Sequence, residues 1–390
     1  MDKSSKAEQL AIIDIGSNSV RIVVMERDGK ALTTKLNDKR ICELGDRDSD
    51  GNIRKPNRKK AYDALEDFRA YIKKNKIERV VPVATAAARN AGNGAEFIKK
   101  AEKKLGHSIQ ILSDEQEAEM AARGVIAAYD MDGLDNTQPD GVVADLGGGS
   151  LELAGVRKDS IDDAISLELG TLILRAQDDP AAYARRALNA TDYAGKNAPN
   201  LYVIGGSWRA VKKTWNWSGN GGTSKTNGAI NTKHMQSVPA NAAVKHLEHI
   251  INLEGSAPSK KKKKHFPKEL DKSARALYEE FPKIRPERAN KIFDAARVLK
   301  ELVEVTGAKN VVFVECGLRE AIAHAHFSNS PLMQETGQLF SRLHAEGDDD
   351  RPALAKSGTT TSPSEPLSSH HDDGVPATAT GKPRSFSQKS

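Results

Sequence analysis

Two aspartates in this chain occupy the same place in the same phrase, Asp-[Ile/Leu]-Gly-x-x-Ser. Asp14-Ile15-Gly16-Ser17-Asn18-Ser19 follows the apolar run Ala11-Ile12-Ile13, and Asp145-Leu146-Gly147-Gly148-Gly149-Ser150 follows Val142-Val143-Ala144. Glycine permits the positive φ of a tight turn and leaves no Cβ in a ligand's way. Consecutive backbone N–H groups in such a turn make a concavity that binds anions. A carboxylate at the strand end would repel phosphate, so it is suited instead to hold Mg²⁺, which neutralises phosphate oxygens. One copy alone reads as an ordinary hairpin. Two copies at an offset of 131 residues (145 − 14), about the length of a domain, point to an internal repeat. Two such loops facing one another would form a cleft for phosphate and metal.

Further polar residues stand at the ends of other apolar runs. Gly205-Gly206-Ser207 closes Leu201 to Ile204 and opens a helix whose free N–H groups could bind an anion, with Arg209 adding charge. The simpler alternative is an N-cap by Ser207 with Arg209 in solvent. Thr85 and Arg89 follow Arg79 to Ala84, where an arginine could clamp a phosphate bidentately. Glu117 lies in the first turn of a helix opened by Ser113, with Gln116 as capping-box partner, among Asp114, Glu115 and Glu119. Acids there suit the helix dipole. One of them, pointing into a cleft, could instead take a proton from an attacking water. Glu152, two residues past Ser150, borders the second glycine loop. The histidines form no metal-ligand pattern: His246 and His249 share a helix face without an acidic or cysteine partner. Gly-x-Ser-x-Gly and Gly-x-x-x-x-Gly-Lys-[Ser/Thr] are both absent, which argues against a serine hydrolase and a P-loop enzyme.

The elements that must position these groups read as α/β. Strands are expected at 10–15, 20–25, 31–36, 79–84 and 109–112, with helices through Ala61 to Ile72, over 94–105 and from Ser113 to about Tyr129. The second half repeats the plan with strands at 141–145, 151–156, 164–169, 201–204 and 310–315 and a helix over 318–327. Hairpin strands first and strand–helix units after mark a mixed sheet. The layout predicts a polar segment 1–9, a first domain 10–130 and a second domain 131–330 carrying an insert at about 218–290. A helical extension 331–344 and a disordered Ser/Thr/Pro-rich tail 345–390 follow.

The chain has 390 residues, 38% of them hydrophobic and 29% charged, a soluble globular composition with room for two cores. No run is long and apolar enough for a membrane span, and residues 1–9 lack the core of a signal peptide. Cys42 and Cys316 are the only cysteines, so a reducing cytoplasm is expected. The net charge of +6 and the run Lys260 to Lys264 fit a polyanionic partner without naming one.

Taken in order, six segments resemble the exopolyphosphatase / guanosine pentaphosphate phosphohydrolase family, within the actin–hexokinase–Hsp70 ATPase superfamily. They are Ile13 to Arg21, Val83 to Arg89, Ile111 to Ala118, Asp145 to Leu153, Gly205 to Ala210 and Gly317 to Glu320. The resemblance implies two tandem actin-like (ribonuclease H-like) domains, each a mixed five-stranded sheet with helices, facing across a cleft. It implies Mg²⁺-dependent removal of terminal phosphate from inorganic polyphosphate or guanosine pentaphosphate, with no membrane and no specific nucleic acid as partner and a homodimer as one oligomeric state to test. Glu117 matches the general base, Arg89 a phosphate-binding arginine, and Asp145 and Glu152 acids of the metal and phosphate site. Asn18, Ser19, Gly147, Gly148, Gly149 and Ser150 match phosphate-cradling loops. Thr85, Arg21, Gly206, Ser207 and Arg209 complete the expected phosphate contacts, with Asp14 and Asp145 as metal ligands. Asp114 stands where relatives carry glycine and Gln116 where they carry glutamate, so altered phosphate affinity is expected. Those two changes also motivate a non-catalytic sensor as an alternative to a hydrolase, and a kinase of the same superfamily is a third.

Overall fold

The computed structural model describes residues 8–28, 31–134, 137–158, 160–220, 230–257 and 266–327. The lysine run 260–264, the extension 331–344 and the tail 345–390 lie outside the described residues.

In chain order the first half runs β1 (Glu8–Ile15), β2 (Ser19–Asp28), β3 (Ala31–Ile41), α1 (Lys55–Asn75), β4 (Arg79–Ala84), α2 (Ala86–Arg89), α3 (Gly94–Leu105), β5 (Gln110–Ile111) and α4 (Asp114–Met131). The second runs β6 (Asp140–Leu146), β7 (Leu151–Arg157), β8 (Ser160–Leu167), α5 (Thr171–Leu174), α6 (Pro180–Asn189), β9 (Asn200–Ile204) and α7 (Gly206–Trp215). It continues with β10 (Met235–Pro239), α8 (Ala240–Asn252), α9 (Arg275–Glu280), α10 (Pro286–Thr306), β11 (Asn310–Val314) and α11 (Leu318–Phe327). The strands form two mixed sheets, β3-β2-β1-β4-β5 and β10-β11-β9-β6-β7-β8.

The second sheet has six strands where five were expected. The extra one, β10, pairs antiparallel with β11 at the sheet edge. Its sequence, Met-Gln-Ser-Val-Pro, gives little apolar signal, and Pro239 is tolerated because an edge strand has a side without ladder bonds. It lies inside the stretch read as an insert, as do α8 and the first residues of α10, which is 21 residues long and packs on α6, α7 and α8. Much of that stretch is therefore core.

The continuous apolar runs have a direct explanation: both faces of each sheet are covered. On β1, Ala11, Ile13 and Ile15 pack toward the residues of α1 and α3, while Leu10 and Ile12 pack with Met120 of α4 and Ala321 and Ile322 of α11. On β6, Val142, Ala144 and Leu146 join the core made with α7, α8 and α10, and Val143 joins Ala118 to Tyr129 of α4. Helices α4 and α11 thus lie between the sheets, in contact with each other and with residues of both.

Their crossing is close. A Cβ built on Gly124 of α4 would stand 2.8 Å from Gly317 Cα and 3.0 Å from its carbonyl carbon and oxygen. Helix propensity alone favours alanine over glycine by about 1 kcal/mol. Overpacking against fixed backbone costs about 1–3 kcal/mol, more where the backbone cannot yield. Gly124→Ala is therefore expected to lower stability by up to about 2 kcal/mol. A raised midpoint in urea unfolding would show instead that the helices part freely.

Candidate active site

The two glycine turns are closed by the same hydrogen bond. Gly16 N–H donates to Ser19 O at 3.0 Å, and Gly147 N–H to Ser150 O at 2.9 Å. They also meet: a Cβ on Gly148 would lie 3.4 Å from Ser17 Cβ, and one on Gly149 3.4 Å from Ser17 Oγ. None of Gly16, Gly147, Gly148 or Gly149 has positive φ. Gly148 and Gly149 serve instead the close approach of the second turn to the first, and none of the four adopts the left-handed backbone expected from sequence. Gly205 does have it, at φ 113°, and a Cβ there would strike Leu146 O at 2.6 Å.

Strand register sets the side chains that flank these turns. In the first sheet Asp14 pairs with Arg21 and Arg21 with Lys39, so the three stand in one row on one face. In the second, Asp145 pairs with Glu152 and Glu152 with Ser166. Arg21 and Glu152 each lie seven positions after the aspartate of their turn. Equivalent places in the repeat thus carry a cation on one side and an acid on the other.

Glu117 enters from the first turn of α4. Ser113 Oγ accepts from Gln116 N–H at 3.2 Å, and Gln116 Oε1 accepts from Ser113 N–H at 2.9 Å, the expected capping box. Gln116 is occupied as a cap and does not line the cavity, so its missing charge is not withdrawn from the cleft. Glu117 Oε1 accepts from Ala86 N–H at 3.0 Å and from Arg89 Nη1 at 2.5 Å. Burial pushes the Glu117 carboxyl up to about 7, against the opposing pull of Arg89.

Arg89 stands apart from most of the expected residues. It does not line the cavity; its guanidinium bonds Glu117, Asp114 and the carbonyl of Leu112. Asp114 is thereby tied to an arginine. Arg47 in turn donates to the carbonyls of Ala86, Ala87 and Asn90 and so pins α2, which carries both Ala86 and Arg89.

The acids crowd one another. Asp145 is pushed up to about 6 by burial, opposed by Arg209 and Arg319. Glu152, 5% exposed, is raised well above the carboxylate range by burial and then by Glu117 and Asp145, although Ser166 Oγ donates to it at 3.2 Å. Asp14 is held by Arg319 Nη1 at 2.5 Å.

All these groups surround one cavity of about 250 Å³. Of the residues expected from sequence, Asp14, Asn18, Ser19, Arg21, Thr85, Glu117, Asp145, Gly147, Gly148, Ser150, Glu152, Gly206, Ser207 and Arg209 line it, while Gly149 and Arg89 do not. Arg209 also donates to Glu315 O at 3.2 Å.

Four cations on the wall were not anticipated: Lys39, Arg288, Lys291 and Arg319. Arg319 sits in a motif already noted, but its contact with Asp14 spans 305 residues of sequence. Arg288 and Lys291 are three apart on α10, on one helix face behind Pro286, a spacing that was available to find them. Lys39 is found only by following the register two strands from Asp14. Lys291 Nζ donates to Asn18 Oδ1 at 3.3 Å; among the described residues Arg21, Lys39 and Arg288 have no side-chain hydrogen bond or ion pair.

A sequence model of the Ppx/GppA phosphatase family matches residues 22–328. The chain belongs to that family. It is 33% identical over 183 residues to a bifunctional 3-dehydroquinate synthase/phosphatase of Fusobacterium nucleatum, covering 44% of this chain and 26% of the relative. It is 31% identical over 154 residues to a guanosine-5'-triphosphate,3'-diphosphate pyrophosphatase of Vibrio cholerae, covering 39% and 30%. The matches thus span under a third of these curated relatives. Among solved structures, the Ppx/GppA family member of Aquifex aeolicus has a TM-score of 0.62 at 21% identity, covering 88% of this chain and 100% of that one. An exopolyphosphatase of Cytophaga hutchinsonii has a TM-score of 0.64 at 16% identity, covering 83% and 99%. The shared fold is that of the Ppx/GppA proteins. No helix among the described residues is long and apolar enough to cross a membrane.

The geometry around Glu117 gives a measurable prediction. A carboxyl titration by NMR is expected to place Glu117 near 7, and Arg89→Met is expected to move it upward, because the opposing positive charge is lost. An unchanged midpoint in the variant would remove Arg89 from control of this group.

Proposed function

We propose that this chain hydrolyses the terminal phosphoanhydride bond of inorganic polyphosphate, with guanosine pentaphosphate as a second substrate. The observation that carries the reading is Glu117, a carboxyl raised to about 7, on the wall of a cavity that also holds Arg21, Lys39 and Arg288, half-buried cations with no side-chain partner among the described residues. Charges withdrawn from water without a counter-ion are costly, so such a wall is suited to a polyanion. The named activity of the Vibrio cholerae relative supports the second substrate.

In this reading Glu117 Oε accepts a proton from a water as that water's oxygen attacks the terminal phosphorus. The new O–P bond forms, the bridging P–O bond breaks, and its electron pair leaves with the shortened chain; orthophosphate is released. Arg89 and the Ala86 N–H keep the Glu117 carboxylate oriented. The turns at Ser17-Asn18 and Gly148-Gly149, whose N–H groups bond no other described residue, receive the transferred group's oxygens.

Mg²⁺ fits the donor chemistry. Asp145 and Glu152 supply hard carboxylate oxygens and repel each other when ionised, a cost that a dication would relieve. No group of three or more candidate ligands gathers among the described residues, so waters would complete the shell, as Mg²⁺ commonly requires. Asp14, expected as a ligand, is neutralised by Arg319 and is the weaker candidate. When bound, the ion would neutralise charge on the phosphate oxygens.

The test is phosphate release from long-chain polyphosphate with Mg²⁺ by the native chain and by Glu117→Gln. Loss of the base is expected to lower kcat by about 10²-fold or more. Equal rates would place the base elsewhere. Binding without release by the native chain would make it a sensor, and transfer of labelled phosphate from ATP to an acceptor would make it a kinase.

A further inference from the structure

Lys39 is the wall cation that the proposed chemistry does not use. It stands on the same face of the first sheet as Asp14 and Arg21, two strands away from Asp14. At about 4.8 Å between strands, the row extends about 10 Å from the reaction centre. Its ammonium is half-buried and lines the cavity, and it has no hydrogen bond or ion pair among the described residues. The charges that act on it most are those of Arg288 on α10, Arg21 on β2 and Arg319 on α11, with Asp14 opposing them. A lysine held among three arginines is an unfavourable arrangement for the empty protein. It becomes favourable only with an anion between them.

The cavity lining also lacks something. Among the described residues it contains no Phe, Tyr, Trp or His, and its apolar members are Ala86, Leu146, Leu172, Ile204 and Leu318. Base recognition commonly relies on stacking against an aromatic face, worth about 1–3 kcal/mol per base. An inorganic chain carries charge on each successive group, which suits a row of cations; a nucleoside would present a neutral ring and sugar to Lys39.

We propose that Lys39 is a specificity-determining residue: it extends the phosphate track beyond Arg21 and favours an unsubstituted inorganic phosphate chain over a guanosine nucleotide. This rests on the polyanion reading of the same cavity, and it names which polyanion.

Burial and the neighbouring arginines push Lys39 down to about 8, so its charge is present below that pH and lost above it. Affinity for the long chain is therefore expected to fall as pH rises through about 8, and Lys39→Arg is expected to flatten that fall while keeping the affinity.

The experiment measures equilibrium binding of long-chain polyphosphate, pyrophosphate and guanosine pentaphosphate to the native chain, Lys39→Gln and Lys39→Arg. Thermal unfolding verifies that both variants fold. Loss of one charge-assisted contact is expected to weaken long-chain binding about tenfold in Lys39→Gln. Pyrophosphate, which is too short to leave the reaction centre, and guanosine pentaphosphate are expected to lose less, and Lys39→Arg to restore the long-chain value. Equal losses for all three ligands, or an unchanged long-chain affinity, would overturn the proposal, as would a native chain that does not bind polyphosphate. If the native chain binds polyphosphate but releases no phosphate, the hydrolase reading fails while the three affinities still decide the role of Lys39.

Discussion

The cleft is organised around like charges held close together with too little water. On one side Glu117, Asp145 and Glu152 are each raised by burial, and Glu152 further by the other two. On the other, Arg21, Lys39 and Arg288 are lowered by burial and then by neighbouring arginines. Neither group neutralises the other: the internal ion pairs join Asp14 to Arg319 and Glu117 to Arg89, and leave the remaining charges facing the cavity. Such an arrangement lowers the stability of the empty protein. It is retained where ligand binding restores the missing counter-charge, which is why perturbed groups cluster at functional sites.

Holding those charges in place requires a rigid frame, and the frame is the helix pair between the sheets. Glu117 lies in the first turn of α4 and Arg319 in the first turn of α11. The helices cross where Gly124 meets Gly317, with no side chain between them. A change in their crossing would therefore move Glu117 and Arg319, the partner of Asp14, together. The apolar residues of α4 face the second sheet along most of its length, while Met120 reaches the core of the first, so one helix registers both halves.

Much of this frame was legible in the chain. β4, α3 and α11 fall at their expected limits, and the capping box at Ser113 forms as read, because local hydrogen bonding and apolar periodicity decide such features. Most of the expected cavity residues converge because the repeated turns lie at equivalent strand ends. What was not legible depends on distance. The Arg89–Glu117 bond spans 28 residues and Lys291–Asn18 spans 273, and neither leaves a periodic trace. β10 was missed since an edge strand with one buried face and a proline carries a weak pattern. Nor does a motif give a residue's partners: the Arg89 guanidinium bonds Asp114 and Glu117 on α4.

The repeat itself explains how one fold supplies two chemistries. Each half provides an aspartate, a turn closed by the same Gly N–H to Ser O bond, and a residue seven positions on that pairs with the aspartate across the strands. In the first half that residue is Arg21 and the row continues to Lys39; in the second it is Glu152 and the row continues to Ser166. Had both halves kept acids, the facing rows would repel each other and any phosphate. Had both kept cations, Asp145 would have lost its carboxylate partner across the strands. With one of each, an anion entering between the turns meets cations from the first sheet and carboxylates from the second. One difference at the same position of a repeated hairpin thus sets the charge of each row, and the backbone that presents both need not change.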